Sequence, residues 1–250
     1  EILSAALVAA LGEPLMHALL EVAPNVDLAL EQFLTSARQA LLERAATAAP
    51  DHPVEPVVLR FFCALARQCF VNEYVFSLDA DEAHEAGKLR DALDRALASG
   101  AVVSPLWPVA VAAYGPLGAL AAVDNLLFHT WPDCVDALLT QQIREPREET
   151  ALRATVPRLT DIADDVSLKV RAMYEENPYP RWVKVAPTES PQPLDIFLRN
   201  RFPALVHDFE RKSSLDILLG GCGTGRQAIE MAQRFTGAKV LAIDLSLVSL

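Results

Sequence analysis

LDILLGGCGTGRQAIEMAQRFTGAKVLAIDLS, the stretch from Leu215 to Ser246, decides how this chain is read. Leu215–Leu219 is short, apolar and bounded by turn residues, the pattern of a buried parallel strand. Gly221, Gly223 and Gly225 then alternate through a turn. Glycine has no Cβ, so such a turn can take positive φ and let a ligand lie against its backbone. A helix is expected from Thr224 or Gly225, its unpaired N–H groups aimed at the same place. Lys239–Ile243 reads as a second strand, and Asp244 follows at its carboxyl end, where a carboxylate can accept both hydroxyls of a ribose. Strand, glycine turn, helix and acid-ended strand make one β-α-β unit.

The glycine spacing separates the cofactors that such a unit can hold. A dinucleotide turn reads G-x-G-x-x-G, its third glycine allowing close helix–strand packing and a pyrophosphate at the helix start. Counted from Gly221, that third glycine falls on Arg226, which argues against a nicotinamide-dependent oxidoreductase. The turn reads G-C-G-T-G instead and resembles motif I of class I S-adenosylmethionine-dependent methyltransferases. The resemblance implies that Gly221, Cys222, Gly223, Thr224 and Gly225 cradle the methionine part of S-adenosyl-L-methionine. It also implies that Asp244, with Leu245 beside it, binds the ribose. Family members usually carry an acid two residues before the first glycine; Leu219 stands there in this chain, and Asp216 lies further upstream.

Outward from this unit the character changes. Residues 1–150 read as helices, with Ala and Leu at three- and four-residue spacings in Leu28–Leu42, Val57–Phe70 and Ala83–Leu97. Asp27 and Asp79 are expected N-caps, and Pro24, Pro50, Pro53 and Pro56 punctuate the joins. A helix closing into A-P-D-H-P resembles the end of a tetratricopeptide repeat, but no second copy follows at a 34-residue period, so an irregular helical array is expected. Ile143–Thr150, IREPREET, is a charged run that suits a solvated helix start or linker. Residues 151–210 read as linker and pre-sheet helices. Pro187, Pro191 and Pro193 suggest a tether, and a helix is expected over Asp195–Phe209 with Pro203 interrupting it. Residues 211–250 read as the start of an incomplete α/β Rossmann-like domain.

Composition bounds the partners. The 250 residues are 52% hydrophobic, which supports a globular core, and 22 basic against 33 acidic residues give a net charge of −11. That acidity argues against a broad nucleic-acid surface, which needs a basic patch. The cysteines Cys63, Cys69, Cys134 and Cys222 show no metal-like spacing and suit buried thiols in a reducing cytoplasm. The opening ILSAALVAALG has no basic flank, so no signal peptide is read. Ala96–Val123 carries no charge, but Pro105, Pro108, Pro116, Gly115 and Gly118 interrupt it. Short buried helices, not a membrane span, are the expectation.

The family resemblance extends beyond motif I. ALARQCFVNEYVF (Ala64–Phe76), QQIREPREE (Gln141–Glu149) and YEENPYPRW (Tyr174–Trp182) are similar to a group of bacterial proteins that join a repeat-type helical region to a class I methyltransferase domain. The resemblance implies a methyltransferase with an unknown methyl acceptor, protein or small molecule, a possible protein partner on the helical region, and a chain that ends before the substrate-binding half. Catalytic residues are then expected beyond Leu250. The alternative is a helical interaction scaffold with a vestigial nucleotide fold, a reading that Leu219 keeps open.

Several residues have plainer readings. Asn177–Pro178–Tyr179–Pro180 invites comparison with the N-P-P-Y motif of base amino-methyltransferases, but splits its prolines; a rigid turn packing Tyr179 and Trp182, or a lid, is the other reading. Cys222 is a small turn residue, since methyl transfer from a sulfonium needs no covalent intermediate. His129 and His207 lack metal-ligand spacing. Arg226 suits a solvated or cofactor-edge position, Asp216 a local pair, and Glu175 with Glu176 a solvated helix end.

Overall fold

Ala and Leu dominate the helical stretches, and in the computed structural model they form most of the secondary structure. The model describes residues 10–22, 24–50, 53–176, 178, 181–185, 187, 190–204 and 214–250. The chain divides into two compact units, Glu1–Leu152 and Arg153–Leu250.

In the first unit the helices are α1 (Pro14–Val22), α2 (Leu28–Thr47), α3 (Pro56–Val71), α4 (Ala80–Ser99), α5 (Leu106–Tyr114), α6 (Val123–Leu126), α7 (Asp133–Leu139) and α8 (Glu145–Leu152). α3 is the centre. Val58, Leu59, Phe61, Phe62, Cys63, Leu65, Cys69 and Val71 are all buried, so most of its circumference is apolar, and only a narrow strip with exposed Arg60 and the ion-paired Arg67 is charged. It packs against α1, α5 and α7. The expected caps form: Asp27 accepts from Leu30 N–H and Asp79 from Glu82 N–H, both at 2.8 Å. α4 ends at Gly100 in the left-handed region, φ 72°, where Ala101 N–H reaches back to Ala96 C=O at 2.9 Å. The uncharged stretch from Ala96 breaks into α5 and a single 3₁₀ turn, Leu117–Ala119. Among the described residues no helix is long and apolar enough to cross a membrane.

Of the two readings of IREPREET, a helix start or a linker, the structure shows the helix start. Its first residues belong to a π-helical turn, Thr140–Arg144, that runs straight into α8. Pro146 follows the π turn within a helical run that is continuous from α7, and it supplies no backbone N–H to the ladder there. The π turn buries Gln142, whose amide accepts from Leu117 N–H and donates to Ala112 C=O.

The second unit holds α9 (Asp165–Glu176), α10 (Leu194–Arg201), β1 (Leu215–Gly220), α11 (Arg226–Arg234) and β2 (Ala238–Ile243). β1 and β2 pair in parallel, from Leu215 opposite Ala238 to Gly220 opposite Ile243. One sheet face carries Leu215, Ile217, Leu219 and Val240, half-buried; the other carries Asp216 opposite Lys239 and Leu218 opposite Leu241, all exposed. At the end of the proline tether Gln192 bridges to Phe235, and Phe197 of α10 stacks edge-on against Phe235. α10 ends before Pro203, because a proline ring blocks the next helical hydrogen bond. The rest of the helix expected to Phe209, including His207, lies outside the described residues, as do Asn177, Tyr179 and Pro180.

Candidate functional site

β1 delivers the chain into the glycine turn. Gly221, Gly223 and Gly225 all have positive φ, 69°, 53° and 80°, a conformation that L side chains rarely take. Beside Gly221 and Gly225 the space where a Cβ would point is open for 4 Å. The turn is pinned to the end of β2 by its own backbone: Gly221 N–H and Cys222 N–H both donate to Ile243 C=O, at 2.9 and 3.1 Å. Gly225 caps α11, and Ile229 N–H bonds its carbonyl at 3.1 Å. The helix begins two residues later than Thr224, the earlier of the expected starts.

Asp244 closes this arrangement. One carboxylate oxygen, Oδ2, accepts from Gly223 N–H at 2.7 Å, and Oδ1 accepts from Ser246 N–H at 2.9 Å. The acid thus ties the turn to the strand end and caps the turn that follows β2. A carboxylate offers about four lone-pair sites. Among the described residues two are used, one on each oxygen.

Trp182 reaches the turn too. Its Nε1–H lies 3.0 Å from Thr224 C=O and 3.1 Å from Thr224 Oγ1. Of the two readings of NPYPRW, the packed turn or the lid, the structure shows an indole anchored on the glycine turn. The sequence held a clue in the half-apolar, hydrogen-bonding tryptophan beside two prolines, but not its partner.

A cavity of about 1340 Å³ opens over these elements. Gly221, Cys222, Gly223, Thr224, Asp244 and Leu245 line it, so the structure gathers most of the sequence-named residues on one wall. Gly225 is left out of the lining, its role being the helix cap. Tyr174, which opens the YEENPYPRW stretch, lines the cavity as well, and so does Val156–Thr160, which no sequence pattern marked. Leu219 does not line it; its side chain lies on the covered sheet face with Leu215 and Ile217. Arg226 pairs with Glu230 at 3.0 Å, an exposed i,i+4 pair of small energetic weight. Glu175 makes a similar pair with Arg171.

Cys222 is half-buried in the turn, and burial followed by the Asp244 charge pushes its thiol pKa up. A thiol held protonated is a poor nucleophile. His129 is spent on structure: its Nδ1 lies 2.7 Å from Asn125 C=O and its ring stacks on Trp131. Among the described residues no group of three or more His, Cys, Asp or Glu is placed to hold a metal. The cysteines divide two and two, with Cys63 and Cys69 buried but Cys134 and Cys222 only half-buried, which corrects the expectation of four buried thiols. No protein-family model, curated protein or solved structure matches the chain.

Proposed function

We propose that the second unit binds S-adenosyl-L-methionine and that the protein is a methyltransferase built on a Rossmann-like fold. One observation carries the reading: three left-handed glycines after β1 whose middle N–H is held by the acid ending β2. The residues fit the group. The cradle is open beside Gly221 and Gly225, and among the described residues each Asp244 oxygen accepts one hydrogen bond, which leaves a lone pair on each for the ribose hydroxyls. Gly221–Thr224 would hold the methionine end, with Leu245 beside the ribose. When bound, the cofactor supplies an electrophilic methyl group on a sulfonium. The chain's contribution is then orientation and exclusion of water. Trp182 fixes the edge of the turn, and Leu241, Leu245 and Leu247 give the cavity an apolar wall.

Calorimetry on the protein with S-adenosylmethionine, S-adenosylhomocysteine and NAD tests the proposal. Saturable binding of the first two, without NAD binding, is the expected result. Binding of NAD alone would overturn it in favour of an oxidoreductase, and binding of none would favour the interaction scaffold. That second reading draws on Leu15 and Leu19, one turn apart on α1 and 75% and 53% exposed.

A further inference from the structure

Much of the cavity wall away from the glycine turn is aliphatic. Val156 and Leu159 come from the segment ahead of α9, Val170 from α9, Leu241 from β2, and Leu247 and Leu250 from the residues after it. Each of these side chains is exposed, Leu159 by 66% and Leu241 by 57%. Apolar surface left in water forgoes about 25 cal/mol per Å² of stabilisation, and a contiguous patch of it marks a place that something covers. The cavity makes the patch contiguous, since these residues come from separate stretches of the second unit and share one concavity.

Size and charge narrow what covers it. The volume of about 1340 Å³ exceeds the roughly 300–1,000 Å³ of a pocket that takes one drug-sized ligand. A cofactor held by the glycine turn and Asp244 therefore leaves room against the aliphatic wall. The charged side chains on the lining are all engaged by the chain itself. Arg158 pairs with Asp161 at 2.8 Å, Arg171 with Glu175 at 3.5 Å and Arg226 with Glu230 at 3.0 Å, while Asp244 accepts from Gly223 N–H and Ser246 N–H. Among the described residues, a charged acceptor entering here would meet no unpaired counter-charge, and burying its charge unpaired is costly.

We propose that the methyl acceptor is a small, uncharged molecule with an apolar body, seated in this cavity beside the cofactor and carrying one nucleophilic oxygen, nitrogen or sulfur. The inference rests on the S-adenosylmethionine reading and adds the acceptor's class to it. The apolar body would lie against Val156, Leu159, Val170 and Leu247, with the heteroatom towards the turn. Thr160, Tyr174 and Gln227 also line the cavity and offer hydroxyl and amide groups to orient that heteroatom. In the transfer the heteroatom bonds the methyl carbon, the bond from that carbon to the sulfonium sulfur breaks with its electron pair kept by sulfur, and the heteroatom's proton goes to solvent. An uncharged acceptor also suits a chain of net charge −11, which would repel a phosphate-rich one.

A matched pair of fluorescent dyes tests this: N-phenyl-1-naphthylamine, apolar and uncharged, and 8-anilinonaphthalene-1-sulfonate, the same ring skeleton with a negative charge. Each is titrated into the whole protein with and without saturating S-adenosylhomocysteine, whose own binding is measured by calorimetry. The expected result is a saturable site for the uncharged dye that persists beside S-adenosylhomocysteine, with about tenfold weaker binding of the sulfonate. Leu159→Asp should weaken the uncharged dye by about tenfold and leave the S-adenosylhomocysteine affinity unchanged, whereas Leu19→Asp on α1 should change neither. Val156→Asp puts the same question to the same wall should Leu159→Asp not fold. Displacement of the dye by S-adenosylhomocysteine would mean that the cavity takes one ligand and would sink the proposal. So would tighter binding of the sulfonate, or dye binding that Leu159→Asp leaves intact. Calorimetry keeps the two readings apart: a protein that binds S-adenosylhomocysteine but not the dye loses this inference alone, and one that binds no S-adenosylhomocysteine loses the cofactor reading with it.

Discussion

Asp244 does two jobs with one carboxylate, and that duality is open to measurement. Its bonds to Gly223 N–H and Ser246 N–H hold the turn in the shape that would receive a ligand. Hydrogen bonds to a charged acceptor contribute about 1.5–3 kcal/mol each. Asp244→Ala should therefore loosen the turn and weaken S-adenosylmethionine binding by about ten- to a hundred-fold. Asp244→Asn supplies one oxygen acceptor and no charge, so it should fall between. A second readout needs no cofactor. Because the Asp244 charge helps to raise the Cys222 thiol pKa, Asp244→Asn should speed alkylation of Cys222 at neutral pH. The sign follows from the cause: removing a negative neighbour favours the thiolate. An unchanged alkylation rate, with the turn intact, would mean that the carboxylate does not face this thiol.

Elements in the first unit are joined by one buried ionic cluster. Arg38 of α2 pairs with Glu82 of α4 at 2.9 Å, with side chains 2% and 5% exposed. Arg38 also donates to Ser77 C=O at 2.6 Å, and its guanidinium lies over the Tyr114 ring of α5 at 4.6 Å. The Tyr114 hydroxyl donates to Glu82, and burial with that bond pushes its pKa up. Removing one partner of a buried pair strands the other charge, at a cost of about 3–5 kcal/mol. Glu82→Gln should destabilise by about that much. Tyr114→Phe removes one bond to a charged acceptor and should cost about 1.5–3 kcal/mol. Denaturant midpoints at constant slope measure both, and a larger loss for Tyr114→Phe would contradict the assignment of charge to the pair.

Where α3 ends, Glu73 and Tyr74 both sit at φ 58°, and Tyr74 N–H reaches Cys69 C=O at 2.8 Å. A left-handed non-glycine residue costs about 1–2 kcal/mol. Comparing Glu73→Gly with Glu73→Ala removes the same side chain from both and leaves only the backbone term. The glycine variant should be the more stable by about 1 kcal/mol, the reverse of their order inside a helix. Thermal midpoints that favour alanine would place Glu73 outside the left-handed region.

At the scale of the whole molecule, local patterns and long-range partners were legible to different degrees. Leu28–Leu42, Val57–Phe70 and Ala83–Leu97 lie inside α2, α3 and α4, and Lys239–Ile243 inside β2, because periodicity and capping act over a few residues. Asp27 and Asp79 cap as expected for the same reason. The π turn at Thr140–Arg144 was invisible in IREPREET, since charge patterning does not report a one-residue change in hydrogen-bond ladder. By itself the sequence determined a mainly helical chain, two short strands around a glycine turn, and an acid at the end of the second strand. Only the tertiary structure decided that this acid holds Gly223 N–H, that Trp182 lies on Thr224, and that Leu219 does not line the cavity. The two hydrogen-bonded contacts join residues 21 and 42 positions apart, and spacing along the chain carries no signal for pairs that only packing brings together.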